Sequence, residues 1–306
     1  MSRFACQANK IGLYSPLQID RRLPKKEPRP PQVKPMTIAA GFRCLNGVVV
    51  CTDSENTVGQ AKFYEPKIFE APADNARIYV AGAGNQIYIR TVAQEIASDV
   101  HGKSMDFDSI EALAQKRVME VYSRHFAPAR QVGDPDAPSM ALLLAVQIEG
   151  LEAKLYRVEE TGGICPIDAG LAVVGTQAAE TLVRYLANIF FLDYFTSVSA
   201  MYAIAVHLIC KVVKFASYCG GSAQVVCLVD NGSRWIDILA SADPSHDPLA
   251  DIFNNMPFIL EACAKGNPDE LQSLLGDLQT EFRKVMDTRK KHQGLYKVPK
   301  IGEWVW

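Results

Sequence analysis

From residue 37 onward the hydrophobic and polar positions follow two distinct periods. "TIAAGFRC" and "VVVCTD" are β-rich runs flanking Asn46-Gly47, a pair that tolerates the positive φ of a two-residue hairpin turn. A further strand is predicted at "RIYVAGAG", 77–84. The period then changes to that of an amphipathic helix. Ile89, Val92, Ala93, Ile96 and Val100 form one stripe over about 86–100. Ile110, Leu113, Ala114, Val118, Val121 and Tyr122 form another over about 109–123. A second hairpin follows, "MALLLAVQI" and "LEAKLYRVE" around Glu149-Gly150. Helical patterns resume at about 177–191 and 196–215, and a third hairpin joins "AQVVCLVD" to "RWIDILA" through Asn231-Gly232. Strands joined by tight turns imply antiparallel sheets, and the intervening helix pairs imply helical layers covering them.

The two ends read differently. Residues 21–35, "RRLPKKEPRPPQVKP", have little that could pack and read as a solvated, extended segment. An arm for a partner or nucleic acid, and removal of 1–35 from the mature protein, are the other two readings. In the tail, "NPDELQSLLGDLQTEFRKVM" begins with Asn267 as N-cap, Pro268 at the first helical position and Glu270 completing a capping box. Its stripe of Leu271, Leu274, Leu275, Leu278, Phe282, Val285 and Met286 must pack on something, by default this chain's own core. The most apolar stretch, 194–210, is at the short limit for a membrane span and contains His207 and hydroxyl residues, so it reads as a buried core helix.

Composition adds limits. The 306 residues are 48% hydrophobic and 22% charged with net charge −2, which calls for neither nucleic acid nor an anionic membrane surface. The eight cysteines never form a C-x-x-C pair, so free thiols packed as small hydrophobes in a reducing cytoplasm are expected. There is no H-E-x-x-H, G-x-S-x-G, P-loop or dinucleotide fingerprint, and the five histidines are scattered. One chemistry needs neither histidine nor metal: a threonine at the chain terminus. Its α-amine, with an unperturbed pKa of about 7.7–8.0, can take the hydroxyl proton. A buried lysine nearby lowers that pKa, a carboxylate holds the lysine, and a backbone N–H stabilises the oxyanion.

"TIAAGFRCLNGVVVCTDSENTVG", followed by "YEPKIF" and "IYVAGAGN", resembles the opening of a proteasome β-type subunit and of the bacterial proteasome-like (HslV-group) peptidases. The resemblance spans roughly 37–240 and is specific in its first fifty residues. It implies Thr37 as nucleophile, Gly41 as the strand glycine, Asp53 orienting Lys67, and Gly82 as the oxyanion amide, with Gly84 as second choice. Thr57 would pair its backbone with an extended substrate. In "VVGTQAAETLVRYL", Thr176 would stand where a serine helps hold the terminal amine. There are departures. The family's second aspartate falls at about Ala216, and Lys67 lies two residues closer to Thr37 than the family spacing. Ideal register about Asn46-Gly47 sets Asp53 opposite Ala40, on the face away from Thr37, so a bulge or register slip is required. Thr37 is also internal. "MTIAAGF" fits a start at Met36 whose methionine is removed, with 1–35 an artefact of start-codon choice.

The expected fold is α+β, a four-layer αββα sandwich of the N-terminal nucleophile hydrolase type. Residues 1–36 form a leader, 37–244 the proteasome-like domain and 245–306 a C-terminal helical extension. The expected function is threonine-type amide or peptide hydrolysis in the cytoplasm, on a peptide or protein substrate. The resemblance implies no metal or organic cofactor, a ring-shaped homo-oligomer and an ATPase as a candidate partner. The alternative is a non-catalytic, ring-forming subunit in which Thr37 is a strand residue, Asp53 a turn former, Lys67 a solvated lysine, and Gly82 and Gly84 a plain strand-to-helix turn. A small-amide hydrolase of the same chemistry is a third reading.

Overall fold

A computed structural model describes residues 37–58, 61–134, 137–189, 197–216 and 219–230. The leader, the second strand of the third expected hairpin and the tail lie outside these residues. The β-branched and small residues of the first hairpin form β1 (Ile38–Cys44) and β2 (Gly47–Thr52). A short pair follows, β3 (Glu55–Val58) and β4 (Ala61–Tyr64), then β5 (Ile68–Pro72) and β6 (Ala76–Gly84). Two helices come next, α1 (Gln86–Val100) and α2 (Phe107–Val121); a π-helical turn, Tyr122–Phe126, leads from α2 into α3 (Ala127–Gln131). The chain returns to strands in β7 (Met140–Ile148), β8 (Lys154–Glu159), β9 (Ile164–Pro166) and β10 (Gly170–Gly175). It closes with α4 (Gln177–Ile189), α5 (Val198–Phe215) and β11 (Gln224–Val229).

The architecture is α+β. One antiparallel sheet has the order β10-β1-β2-β11 and a second β5-β6-β7-β8-β9, while β3 and β4 pair separately. Alternation along the strands directs each sheet's two faces into different cores. Ile38, Ala40, Phe42, Val49 and Cys51 pack with Val206 and Ile209 of α5 and Val183 of α4. From the opposite faces, Ala39, Val48 and Val50 meet Ile68, Tyr79, Ala81 and Leu143 of the second sheet. The outer face of the second sheet, with Phe69, Ile78, Val80 and Leu144, is covered by Ile89, Val92 and Ile96 of α1 and Ile110, Ala114 and Val118 of α2.

The expected helices appear within a few residues of their sequence boundaries. All five members of the α1 stripe are buried; in the α2 stripe, Leu113 and Tyr122 are only partly so. The apolar stretch 194–210 falls largely in α5, packed within the first core, and no helix among the described residues is long and apolar enough to cross a membrane. Cys44, Cys51, Cys210, Cys219 and Cys227 are buried and outside any disulfide, as expected of small hydrophobes, whereas Cys165 is exposed.

The first hairpin departs from expectation. Its turn is Leu45-Asn46, and Cys44 pairs with Gly47. Asn46 is committed elsewhere: its Oδ1 accepts from Val198 N–H at the start of α5 (2.9 Å), and its C=O accepts from Asp230 N–H (2.9 Å). Gly47 then opens β2 at φ 150°, where an added Cβ would lie 1.9 Å from the Leu228 carbonyl oxygen.

Two outcomes follow. Gly47→Ala destabilises the fold by about 2 kcal/mol or more, because it adds both backbone strain and a clash with backbone; urea denaturation measures this. Burial pushes the Cys44 and Cys219 thiols up to about 12. Alkylation requires a thiolate, so at about pH 8 iodoacetamide labels Cys165 and spares Cys44 and Cys219 until the chain unfolds, which peptide mass spectrometry reads out.

Candidate active site

One end of the first sheet's central strands gathers polar groups that should be outside. Thr37 immediately precedes β1, and Thr52, Asp53, Ser54 and Glu55 follow at the end of β2; all are buried. The last pair of the β1–β2 ladder is Ala39 with Thr52, so Asp53 lies one position beyond it, across from Ile38. Ala40 is opposite Cys51, not Asp53. The expected register is corrected by two positions because the turn closes on Leu45-Asn46. Beyond the ladder the pleat no longer dictates direction, and the Asp53 carboxylate turns to the start of β1. Its Oδ1 accepts from Thr37 Oγ1–H (3.1 Å) and from Ile38 N–H (3.3 Å).

Lys67 comes from the other sheet, one residue before β5. Its Nζ donates to Thr37 Oγ1 (2.9 Å), to Asp53 Oδ1 (2.8 Å) and to the Glu55 carbonyl oxygen. Both Lys67 and Asp53 side chains are 0% exposed. A surface lysine there would carry none of these contacts, so the solvated-lysine reading of Lys67 is overturned. An ion pair this deep persists only if its remaining donors and acceptors are also satisfied. They are: Asp53 Oδ2 accepts from Gly220 N–H (3.2 Å), and Lys67 spends its ammonium on three oxygens.

Neighbouring contacts hold this arrangement in place. Ser54 N–H and Glu55 N–H donate to the Gly220 carbonyl (3.2 and 3.0 Å), and Ser54 Oγ accepts from Ser222 N–H (2.8 Å). Gln224 Oε1 accepts from Lys67 N–H (2.8 Å), and Gln224 Nε2 donates to the Glu65 carbonyl (3.0 Å). The Glu55 carboxylate pairs with Lys62 (2.9 Å). Cys219 lies beside the cluster: burial raises its thiol and the Asp53 charge adds to this, while Lys67 opposes them. Among the described residues no His, Cys, Asp or Glu set could hold a metal ion.

The other sequence candidates sit as follows. Gly82 is one residue past Ala81, the β6 partner of Ile68, so its backbone lies across from Lys67. Gly84, at φ 112°, ends β6, and an added Cβ would lie 2.2 Å from the Ser139 carbonyl oxygen. Thr176 follows Gly175, the partner of Ile38, which sets it across from Thr37. There it caps α4, its Oγ1 accepting from Ala179 N–H (3.4 Å) and its C=O from Glu180 N–H (2.8 Å). Thr57 lies in β3, paired with Lys62. Ala216 follows α5 and offers Asp53 no side-chain contact; the Gly220 N–H holds that carboxylate. Gly220, the Glu55 carbonyl and Gln224 were not singled out from sequence. The first two act through backbone, and Gln224 sits in a strand pattern in which a polar residue reads as outward-facing.

Removing one charge leaves the other buried and uncompensated. Lys67→Met therefore lowers unfolding free energy by about 3–5 kcal/mol, and Asp53→Asn/Lys67→Met recovers more than half of the loss. Chemical denaturation of the two single variants and the double variant measures this.

No protein-family model and no curated protein matches the chain. Solved structures do resemble it. Anbu (ancestral beta-subunit) from Yersinia bercovieri aligns with TM-score 0.59 at 14% identity, over 74% of this chain and 97% of that one. The helical assembly of the Anbu complex from Pseudomonas aeruginosa aligns with TM-score 0.60 at 16% identity, over 76% and 97%. Anbu from Hyphomicrobium sp. strain MC1 gives 0.57 at 14%, over 75% and 97%. At such identities the likeness is one of fold, and it does not single out the HslV group. The chain has the fold of these Anbu structures.

Proposed function

We propose that the chain is a threonine-type amide or peptide hydrolase, active once Thr37 is N-terminal through removal of what precedes it, Met36 included. The observation that carries this reading is the Lys67 ammonium, fully buried and 2.9 Å from Thr37 Oγ1 while paired with Asp53 at 2.8 Å. A buried cation aimed at a hydroxyl is the arrangement that stabilises a developing alkoxide. In this reading Thr37 Oγ attacks the substrate carbonyl carbon and its proton passes to the free Thr37 amine, whose pKa the nearby Lys67 charge lowers. The negative charge on the carbonyl oxygen is met by the Gly82 N–H, with Gly84 as the second candidate. The amine then delivers the proton to the leaving nitrogen, leaving a threonyl ester that water hydrolyses. Thr176 helps hold the amine, and Thr57 pairs its backbone with the substrate.

The finer architecture belongs to the same proposal: a four-layer αββα sandwich spanning 37–244 with a helical extension over 245–306, working in the cytoplasm. Copies of the chain assemble into a ring with the sites facing inward, with an ATPase as candidate feeder of substrate. A solved Anbu complex is a helical assembly, so measured particle mass and shape decide between the two forms. The second reading is a non-catalytic, assembling subunit. It is favoured by one observation: in the sequence Thr37 is preceded by Met36, and an acylated nitrogen is no base.

The test uses a chain begun at Met36, with N-terminal sequencing to confirm that Thr37 is exposed. The expected outcome is hydrolysis of fluorogenic peptides and esterification of Thr37 by a terminal-threonine probe. Both fall at least about 1,000-fold in Thr37→Ala. A correctly processed protein that neither hydrolyses peptides nor takes the probe establishes the non-catalytic reading.

A further inference from the structure

The β5–β6 ladder has a fixed phase. Ala73 N–H donates to the Ala76 carbonyl (2.9 Å), and this pair continues the register that runs from Pro72 and Arg77 to Ile68 and Ala81. In an antiparallel ladder, hydrogen-bonded pairs recur at every second residue. They therefore fall at 71 with 78, at 69 with 80, and next at Lys67 with Gly82. The other side of β6 agrees. Glu149 N–H donates to the Asn75 carbonyl and Asn85 N–H to the Ser139 carbonyl, so odd-numbered residues of β6 bond β7 and Gly82 turns its backbone groups toward β5.

A continued ladder would send Lys67 N–H to the Gly82 carbonyl. It would also direct the Lys67 side chain to the face of Phe69, which packs with Ile89 and Val92 of α1. Thr37 and Asp53 belong to the other sheet, on the far side of β5, where Ile68 faces. In ladder geometry Lys67 could not reach them. The Lys67 N–H is instead taken by Gln224 Oε1 (2.8 Å), and the same side chain's Nε2 donates to the Glu65 carbonyl two residues earlier (3.0 Å). Gln224 is 5% exposed and is fixed on β11 opposite Thr52, next to Asp53. At that burial its amide has little water to turn to, which keeps it on these two backbone groups.

We propose that Gln224 is a positioning residue. It ends β5 one pair early and swings Lys67 from the helix-facing side of the second sheet to the side facing Thr37 and Asp53. Its effect on catalysis rests on the peptidase reading; its effect on Lys67 does not.

The decisive variant is Gln224→Leu, of similar size without the acceptor. In its crystal structure, determined on the full chain, Lys67 N–H returns to Gly82 and the Nζ–Thr37 Oγ1 separation exceeds hydrogen-bonding distance. A separation unchanged from 2.9 Å overturns the proposal. In the chain begun at Met36, kcat for peptide hydrolysis falls about 10- to 100-fold while KM stays within about twofold, the pattern of a misplaced group that leaves substrate binding intact. A kcat for Gln224→Leu within about threefold of wild type overturns the positioning role. Should Gln224→Leu fail to fold, Gln224→Asn, one methylene too short to reach both partners, is measured in the same way. A processed wild-type chain without hydrolysis overturns the peptidase reading, and the crystallographic comparison then decides the role of Gln224 by itself.

Discussion

A lysine and an aspartate, both withdrawn entirely from water, set the terms for the rest of the chain. Burying either ion alone would be prohibitive, and burying both is tolerable only when each remaining lone pair and proton is met. Asp53 belongs to the sheet of β1 and β2 and Lys67 to that of β5 and β6. Their bond therefore fixes how the two sheets face one another at this end, beside an apolar core that includes Ala39, Val48, Val50, Ile68 and Ala81. Apolar packing of that kind is non-directional. The ion pair and its satellites, Gly220 and Gln224, supply the direction.

Two of the resemblance's departures also look different once the contacts are known. Lys67 is two residues nearer the threonine than the family spacing, yet its ammonium reaches Thr37 because its backbone leaves the ladder. The aspartate expected near Ala216 is absent, and the loop that follows α5 brings a backbone N–H to Asp53 instead. In both cases main-chain geometry does what a side chain was expected to do.

Much of the fold was legible because its signals are local. The apolar stripes of α1 and α2 each lie within a single helix and name its buried face. The hairpin at Asn46 was located correctly but registered wrongly, since Asn46 answers to Val198 and Asp230 rather than to the turn alone. Strands such as β9, three residues long, carry too little pattern to register. Within the site, Thr37, Asp53 and Lys67 were legible only through resemblance, because each by itself is an ordinary strand or turn residue. Gly220 and Gln224 were not legible at all. They meet the cluster across sequence separations of 167 and 157 residues, and no window on the sequence spans that distance.

Those same separations determine when the cluster exists. Contacts that close the longest loops form only after the intervening chain has found its place. The β1–β2 hairpin, by contrast, joins neighbours in sequence. A chain still emerging, or arrested before β11 pairs with β2, has its hydroxyl and its lysine but no Gly220 to hold the carboxylate and no Gln224 to turn the lysine. The last strand among the described residues is thus also the timer. Until it docks, Asp53 and Lys67 lack the two partners that lie furthest from them in sequence.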